Sequence, residues 1–438
     1  MTSPPTGWKT KPLIECTSDG NLSYGVVQPG KHRDDGVPIL RVNNFVNGAL
    51  DLSTVMKIDQ AIEQTHLRTR LTGGEVLLTL VGSTGQTVIV DERLAGWNVA
   101  RAVAVIRPSY AVGSKWINIC LRSHATKTYL DSRANTTVQK TLNLSDVRQI
   151  PVIIPPKETK GFIESCISTL DDKIELNRRM NETLESMARA LFKSWFVDFD
   201  PVIDNALAAG NPIPEPLHAR AEARRALGAQ RKPLPAHIQK LFPDTFHFDE
   251  GMGWIPEEWC VQSIGKTIEL SYGKSLPAGK RVAGNVPVYG SGGVSGWHNE
   301  SLCEGPGLVV GRKGTVGTLY WVPENYFPID TVFYVNNKSD APLYWIYQSL
   351  QLIDIQSMGA DSAVPGVNRN TIYARNFTLP SPSVWEAYWT NLEPMTRRME
   401  ALDLENQTLA RLRDTLLPKL LSGELRIPDA EQLVAGSL

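Results

Sequence analysis

The chain has 438 residues, with 45 Lys and Arg against 46 Asp and Glu and a net charge of −1. This length allows two or three hydrophobic cores, and the charge balance argues against a protein that holds nucleic acid by charge alone. The five cysteines form no C-x-x-C pair, the seven histidines form no H-x-x-x-H, and no apolar run is long enough for a signal core or a bilayer span. The composition therefore predicts a reduced, cytoplasmic protein without a structural metal.

The tetrapeptide Leu-Ser-Tyr-Gly occurs twice, at 22–25 and at 270–273. Similar stretches follow in the same order at 37–38 and 286–287, 76–85 and 307–314, and 134–138 and 360–364. One short match would be chance, but several in the same order indicate an internal duplication. Because the period is close to half the chain, and far too long for a solenoid, the repeated unit is a domain.

Each copy ends in a predicted long helix whose apolar residues alternate in four-three spacing, over 163–195 and again over 388–420. Such a narrow seam favours one partner helix of the same kind, whereas a helix that packs on its own domain usually has a wider apolar stripe. We therefore predict that the two helices pair in antiparallel fashion. Asn181 and Asn406 hold the same heptad position near the helix midpoints, so we predict that they lie near each other and fix the register.

These patterns predict six segments along the chain. They are a first domain at 1–156, a first spacer helix at 157–198, a central linker at 199–253, a second domain at 254–383, a second spacer helix at 384–426 and a C-terminal tail at 427–438. The linker is rich in proline and alanine, and one short helix is predicted within it, over 218–230.

No catalytic motif is found. A phosphate-binding loop needs a glycine five residues before its Gly-Lys pair. The Gly-Lys-Ser at 273–275 has Ile268 at that position, and the Gly-Lys-Thr at 265–267 has Cys260 there, so neither is such a loop. No Asn-Pro-Pro-Tyr or Asp-Pro-Pro-Tyr is present, so the centre of an amino-methyltransferase is missing. Asp330 has no second acid and lysine at the spacing of a nuclease. The pairs Gly82 with Gly85 and Gly311 with Gly314 follow apolar strands and are predicted to form hairpin turns, with Arg312 and Lys313 at the tip of the second. We therefore predict no catalytic, cofactor-binding or metal-binding residue.

Two similar domains related by a pseudo-two-fold axis are suited to a target with two half-sites. Arginine can bind guanine, and asparagine adenine, with two hydrogen bonds in the major groove. The predicted DNA-binding residues are Arg41, Asn43, Asn44, Ser83, Thr84, Arg133, Asn135 and Thr136 in the first copy, and Lys274, Ser291, Arg312, Lys313, Asn368 and Arg369 in the second. For each of them the alternative is a solvated loop residue. The first domain has 17 Lys and Arg against 12 Asp and Glu, the second 9 against 10.

Three segments, 187–202, 241–259 and 412–428, together resemble the specificity subunits of type I restriction-modification systems. The resemblance implies an α/β (α+β) fold with two target-recognition domains, each of which reads one half of a split site in double-stranded DNA. It also implies two long antiparallel coiled-coil helices that set the gap and dock two methyltransferase subunits, which restriction/translocase subunits join. The chain itself would be non-catalytic and bind no cofactor, while the methyltransferase partner would use S-adenosylmethionine.

Other functions stay open at this point. One is the specificity subunit of a modification-only complex, and another is a coiled-coil scaffold without DNA contact. A self-contained DNA-modifying enzyme is the third, and the absence of cofactor and catalytic motifs in the sequence speaks against it.

Overall fold

In the computed structural model of this protein, the described residues are 5–46, 48–133, 141–230, 233–359, 366–425 and 427–436. The chain divides into two compact units. Unit 1 contains residues 1–178 and 403–438, and unit 2 contains residues 179–402. Both divisions fall inside long helices, whereas the sequence places its domain boundaries at the helix ends. Each unit therefore includes a part of both long helices.

Unit 1 is built on a four-stranded antiparallel sheet and a three-stranded mixed sheet. The order in the first is β2 (Thr17–Tyr24), β10 (Val103–Pro108), β7 (Val76–Thr79) and β8 (Thr87–Ile89). The order in the second is β6 (Met56–Ile58), β3 (Val37–Leu40) and β9 (Asn98–Val99), with β3 and β9 parallel. Two antiparallel pairs complete the strands, β1 (Lys9–Pro12) with β11 (Pro151–Ile154) and β4 (Phe45–Val46) with β5 (Ala49–Leu50).

The helices of unit 1 are α1 (Gln60–Gln64), α2 (Ser114–Arg122), α3 (His124–Asp131), α4 (Leu144–Arg148), the first part of α5 (Lys157–Phe196), the last part of α12 (Pro382–Ser422) and α13 (Ile427–Ala435). Of these helices, α1 packs on the three-stranded sheet through Ile62, and the others share the core of the four-stranded sheet. Trp116 of α2 is fully buried, and its indole N–H donates to the Ile153 carbonyl at 2.7 Å. One core joins this sheet, α2 and both long helices. Ala430 and Val434 of α13 belong to it, so the predicted tail contains a packed helix.

Unit 2 repeats the strand order of unit 1. Its four-stranded sheet is β15 (Ile268–Tyr272), β21 (Val332–Asn337), β18 (Gly307–Gly311) and β19 (Leu319–Val322). Its three-stranded sheet is β17 (Gly293–His298), β16 (Val286–Gly290) and β20 (Phe327–Pro328), again with one parallel pair. The other pairs are β14 (Cys260–Ser263) with β22 (Asn376–Leu379) and β12 (Phe246–Asp249) with β13 (Gly253–Pro256). The sequence duplication is thus a duplication of the fold.

The predicted linker is more helical than expected. Its described residues form three α-helices, α6 (Asp200–Ala209), α7 (His218–Ala226) and α8 (Ala236–Gln239). Arg220 donates to Asp200 through two nitrogens at 2.6 Å each, and Arg224 pairs with Asp204, so two ion pairs hold α7 on α6. Although burial raises the pKa of Asp200, the hydrogen bonds from Arg220 and Ser194 lower it, with a net decrease. The remaining helices of unit 2 are α9 (Ile264–Thr267), α10 (Leu343–Gln351), α11 (Arg369–Tyr373), the end of α5 and the start of α12.

The long helices α5 and α12 run antiparallel in each unit. In unit 1, Arg413 donates to Asp171 at 2.8 Å and Asn177 donates to Glu405 at 3.0 Å, so residue numbers rise along one helix as they fall along the other. In unit 2 the amide of Asn181 donates to the Met399 carbonyl at 3.4 Å. The buried heptad positions are Ile163, Ile167, Leu170, Asn177, Ala188, Trp195, Tyr388, Leu392, Leu402, Leu409, Leu416 and Leu420. The prediction of an antiparallel pair with a heptad seam is therefore confirmed.

The polar position buried most deeply in the seam is Asn177, which has no exposed surface. Asn181 belongs to unit 2 and Asn406 to unit 1, and their predicted proximity stays a prediction. A disulfide between cysteines placed at these two positions would test it. Among the helices within the described ranges, none has the length and apolar character needed to cross a membrane.

Candidate nucleic-acid interface

The glycine of each Leu-Ser-Tyr-Gly allows a close backbone contact. A Cβ on Gly25 would lie 1.8 Å from the Val99 carbonyl oxygen, and a Cβ on Gly273 would lie 2.1 Å from that of Ile329. Both distances are too short for any side chain, so only glycine fits. The tyrosine before each glycine is the last residue of a strand. Tyr24 ends β2, and Tyr272 ends the equivalent strand β15.

Both of these tyrosines are unusually exposed, Tyr24 at 46% and Tyr272 at 48%. An arginine lies against each ring. The guanidinium carbon of Arg101 is 6.0 Å from the centroid of Tyr24, and that of Arg312 is 4.7 Å from the centroid of Tyr272. A guanidinium within about 6 Å of a tyrosine centroid is attracted by the ring quadrupole. Neither tyrosine is among the residues predicted from sequence, although the repeated tetrapeptide contains both.

The hydrogen bonds correct the sequence alignment of the two glycine pairs. The N–H of Gly85 donates to the Thr79 carbonyl, and the N–H of Gly317 donates to the Gly311 carbonyl, each at 2.9 Å. The turn at 82–85 therefore corresponds to 314–317. The sequence alignment matches it with 311–314, three residues earlier. The sequence comparison is wrong at this point because it matches glycines and not hydrogen-bonded positions.

In the corrected alignment, Arg312 is equivalent to Leu80, and Lys313 is equivalent to Val81. The carbonyls of Leu80 and Arg312 accept equivalent bonds, from Leu142 at 2.9 Å and from Val367 at 3.1 Å. The two cationic residues directly follow β18, and both of their N–H groups donate to the Thr331 carbonyl at 3.0 Å. They precede the turn, whereas the sequence places them at its tip.

The structure brings the predicted residues of unit 2 together. The N–H of Ser291 donates to the Thr331 hydroxyl at 3.3 Å, beside the bonds from Arg312 and Lys313. The guanidinium carbon of Arg369 lies 5.3 Å from the centroid of Tyr272. Lys274 follows Tyr272 by two residues, and Asn368 caps α11 by accepting from the N–H of Asn370 at 2.9 Å. All six predicted residues of unit 2 therefore lie around Tyr272 and Thr331.

The predicted residues of unit 1 fall into separate segments. Arg41, Asn43 and Asn44 share one turn, in which the buried Asn44 accepts from the Arg41 N–H and donates to the Asp51 and Thr54 carbonyls. The amide of Asn44 thus holds the turn and leaves Asn43 exposed. The second segment is the turn with Ser83 and Thr84, and the third is the end of α3, where Arg133 lies 3.8 Å from the Tyr129 centroid. Asn135 and Thr136 lie outside the described residues.

Four of the residues predicted in unit 2 are cations that form no ion pair with a described residue. They are Lys274, Arg312, Lys313 and Arg369, and Arg312 donates instead to the Asp330 carbonyl at 3.0 Å. The arginines of α7, by contrast, are each paired with a carboxylate. Uncompensated cations around an exposed aromatic ring form a site that is suited to an anion.

Comparison with known proteins gives consistent matches. Residues 28–186 match the model of the type I restriction modification DNA specificity domain. The specificity subunit of the type I restriction enzyme HindI from Haemophilus influenzae is 27% identical over 409 residues, which cover 80% of this chain and 86% of that relative. The EcoBI specificity subunit of Escherichia coli is 31% identical over 201 residues, 46% of this chain and 38% of that relative. The solved S subunit of a type I system from M. genitalium aligns with 14% identity and a TM-score of 0.49, over 96% of this chain and 98% of that one.

The protein is of the duplicated α/β class, in which one domain fold occurs twice in the chain and each copy packs on both of two long antiparallel helices. The chain is therefore similar to specificity subunits of type I restriction-modification systems, through the domain match at residues 28–186 and through the HindI subunit over 80% of its length.

Proposed function

We propose that this chain is the DNA sequence-recognition subunit of a type I restriction-modification complex, and that each unit reads one half of a split site in double-stranded DNA. One observation supports this above the others. The two units share their strand order, but equivalent positions after the third strand of the four-stranded sheet hold Val81 in one unit and Lys313 in the other. A common scaffold with different side chains at its loops is suited to reading two different half-sites.

The candidate base contacts are the exposed polar side chains of these loops. Asn43 and Ser83 in unit 1 and Lys274 and Asn368 in unit 2 are exposed. Amide and cationic groups of this kind distinguish base pairs in the major groove by paired hydrogen bonds. Asn44 has a different role in this proposal, because its amide is used in the turn that presents Asn43.

The long helices are proposed to set the gap between the half-sites and to dock two methyltransferase subunits. Large apolar side chains project from them into solvent, Leu176 and Met187 on α5 and Leu404 on α12. Exposed apolar groups on a helix whose seam is already filled favour a further protein partner. In this proposal the chain has no catalytic group and binds no cofactor. The methyltransferase subunits use S-adenosylmethionine, and restriction/translocase subunits join for cleavage.

Sequencing of methylated bases in cells that express this chain with its methyltransferase subunits tests the proposal. We expect methylation at two short half-sites separated by a constant gap, and none of it in cells without this chain. The purified chain alone is expected to transfer no methyl group and to bind DNA weakly. Identical methylation with and without the chain would contradict the proposal, and so would a single uninterrupted site.

A further inference from the structure

The arginine over the exposed tyrosine comes from different places in the two units. The carbonyls of Ala102 and Thr331 are equivalent, since they accept from the N–H groups of Leu80 and Arg312. The residues before them are Arg101 in unit 1 and Asp330 in unit 2. Unit 2 therefore has an acid where unit 1 has its arginine.

Unit 2 nevertheless has cations over the same ring. They come from Arg312, at the end of β18, and from Arg369, at the start of α11. The pairing of a guanidinium with this tyrosine is thus common to both units, although the chain position that supplies it is not.

A feature common to both units suggests a target common to both half-sites. If the units read different sequences, their base-contacting side chains have to differ. The sugar-phosphate backbone is the same in both half-sites, and contacts to it set position without reading sequence. The tyrosine-arginine pair has the distribution expected of a backbone contact.

The geometry in unit 2 also fits a phosphate. Arg312 lies against the ring and donates one N–H to the Asp330 carbonyl, so its orientation is fixed while most of its five donors stay free. Arg369 lies on the same ring, and no ion pair in the described residues neutralises either guanidinium. A phosphodiester has two free oxygens and a negative charge, so it can accept from both guanidinium groups and relieve their repulsion. A guanine edge offers its two acceptors to a single arginine.

We propose that Tyr24 with Arg101, and Tyr272 with Arg312 and Arg369, are equivalent DNA-phosphate contacts that position the two units on the duplex backbone without reading sequence. This inference rests on the proposed function. Each tyrosine is a positioning residue, because its ring holds the guanidinium groups in place for the phosphate.

The test compares binding of the methyltransferase complex to a series of duplexes. One duplex contains the methylated site, others have single base pairs changed in either half-site, and one lacks the site. Changing Arg312→Ala is expected to weaken binding about tenfold on all of them, because a phosphate is present in each. The slope of log K against log salt is expected to decrease by about 1 for each phosphate that the variant no longer neutralises. Arg101→Ala should behave in the same way, and Arg225→Ala, in an exposed ion pair of α7, is the matched control.

The tyrosines have a test of their own. Tyr272→Phe keeps the aromatic ring over which the guanidinium groups lie and is expected to bind like the unchanged protein. Tyr272→Leu keeps an apolar side chain without a ring quadrupole, and is expected to weaken binding on every duplex and to lower the salt slope. A loss of stability alone would not lower the salt slope of the folded fraction.

The inference would be overturned if Arg312→Ala weakened binding only to duplexes with one particular base pair and left the salt slope unchanged. That result would make Arg312 a base reader, and the proposed function would stand. Full binding by both arginine variants on all duplexes would also overturn it. If the unchanged complex bound the site-bearing duplex no better than the duplex without the site, the proposed function would itself fail.

Discussion

Inserting seven residues into each long helix is expected to make the complex methylate the same two half-sites across a gap one or two base pairs wider. The insertions belong between residues 178 and 179 of α5 and between 402 and 403 of α12, where each helix passes from one unit to the other. Seven residues keep the heptad frame and lengthen a helix by about 10 Å. This length corresponds to roughly three base pairs at about 3.4 Å each.

The expected gain is smaller than three base pairs because DNA is helical. Three base pairs also rotate the second half-site by roughly 100°, and the chain between the units has to follow that rotation. Methylated-base sequencing gives the gap directly. An insertion in α5 alone would leave Asn177 opposite Glu405 in unit 1 only if Asn181 moved away from Met399 in unit 2, and it is expected to abolish assembly. Seven residues between Pro212 and Ile213, outside the helices, should leave the gap unchanged. An active complex with both helix insertions and the original gap would show that the helices do not measure the site.

Replacement of Asp171 by alanine is expected to destabilise unit 1 by roughly 3 kcal/mol. Asp171 accepts from Arg122 at 2.6 and 3.2 Å and from Arg413 at 2.8 Å, and so connects α2, α5 and α12. The side chains are 29%, 24% and 17% exposed, respectively. Without this carboxylate, Arg413 would keep its bond to Asp414, but the partly buried guanidinium groups of Arg122 and Arg413 would lose the negative charge between them. Removal of one partner from such a group is costly because it leaves a partly buried charge uncompensated.

Hydrogen exchange measures this effect separately in each unit. Amides of α2 and of the α5 and α12 segments in unit 1 are expected to exchange faster by about a hundredfold, which corresponds to about 2.7 kcal/mol. Asp172→Ala, at an exposed position next in the chain, is the control and should change little. Equal exchange in both variants would show that the ion pairs of Asp171 do not stabilise unit 1.

The charged group of Asp171, Arg122 and Arg413 in unit 1 is not repeated at the equivalent helix positions of unit 2. At the equivalent heptad positions, unit 2 has Thr396 in place of Asp171 and Ala188 in place of Arg413, and both are buried. The two ends of the seam are therefore chemically different, even though the heptad pattern is the same. A substitution at the buried Thr396 is consequently expected to change the stability of the helix pair more than Asp172→Ala at its exposed position.

Sequence patterns sufficed for the large features of this fold. A heptad spacing is local and periodic, and it predicts the antiparallel helices because every buried seam position repeats it. The repeated Leu-Ser-Tyr-Gly predicts the duplication because a close backbone contact at Gly25 and Gly273 admits no other residue. The sequence does not predict the packed helix at Ile427–Ala435, because its burial depends on the core of unit 1 and not on its own pattern.

The site was less accessible from the sequence. The cations over Tyr272 come from positions 40 and 97 residues further along the chain, and no local pattern relates them. The burial of Asn44 depends on carbonyls at Asp51 and Thr54, which a comparison of loop letters does not reveal. The tyrosines were visible as a repeat, but only the structure shows that their rings are exposed beside arginines.

The three-residue shift between the glycine pairs limits how the two halves of this gene could exchange segments. A crossover within Leu-Ser-Tyr-Gly would join equivalent backbone, since Gly25 and Gly273 make the same kind of contact. A crossover that joined Gly82 to the sequence after Gly311 would repeat the positions equivalent to 80–82 and so add three residues before the turn. Viable hybrids are therefore expected to have their junctions in the strands and to inherit each loop whole. Under the proposed function, new specificities would arise by exchange of complete loops and not by blending of two.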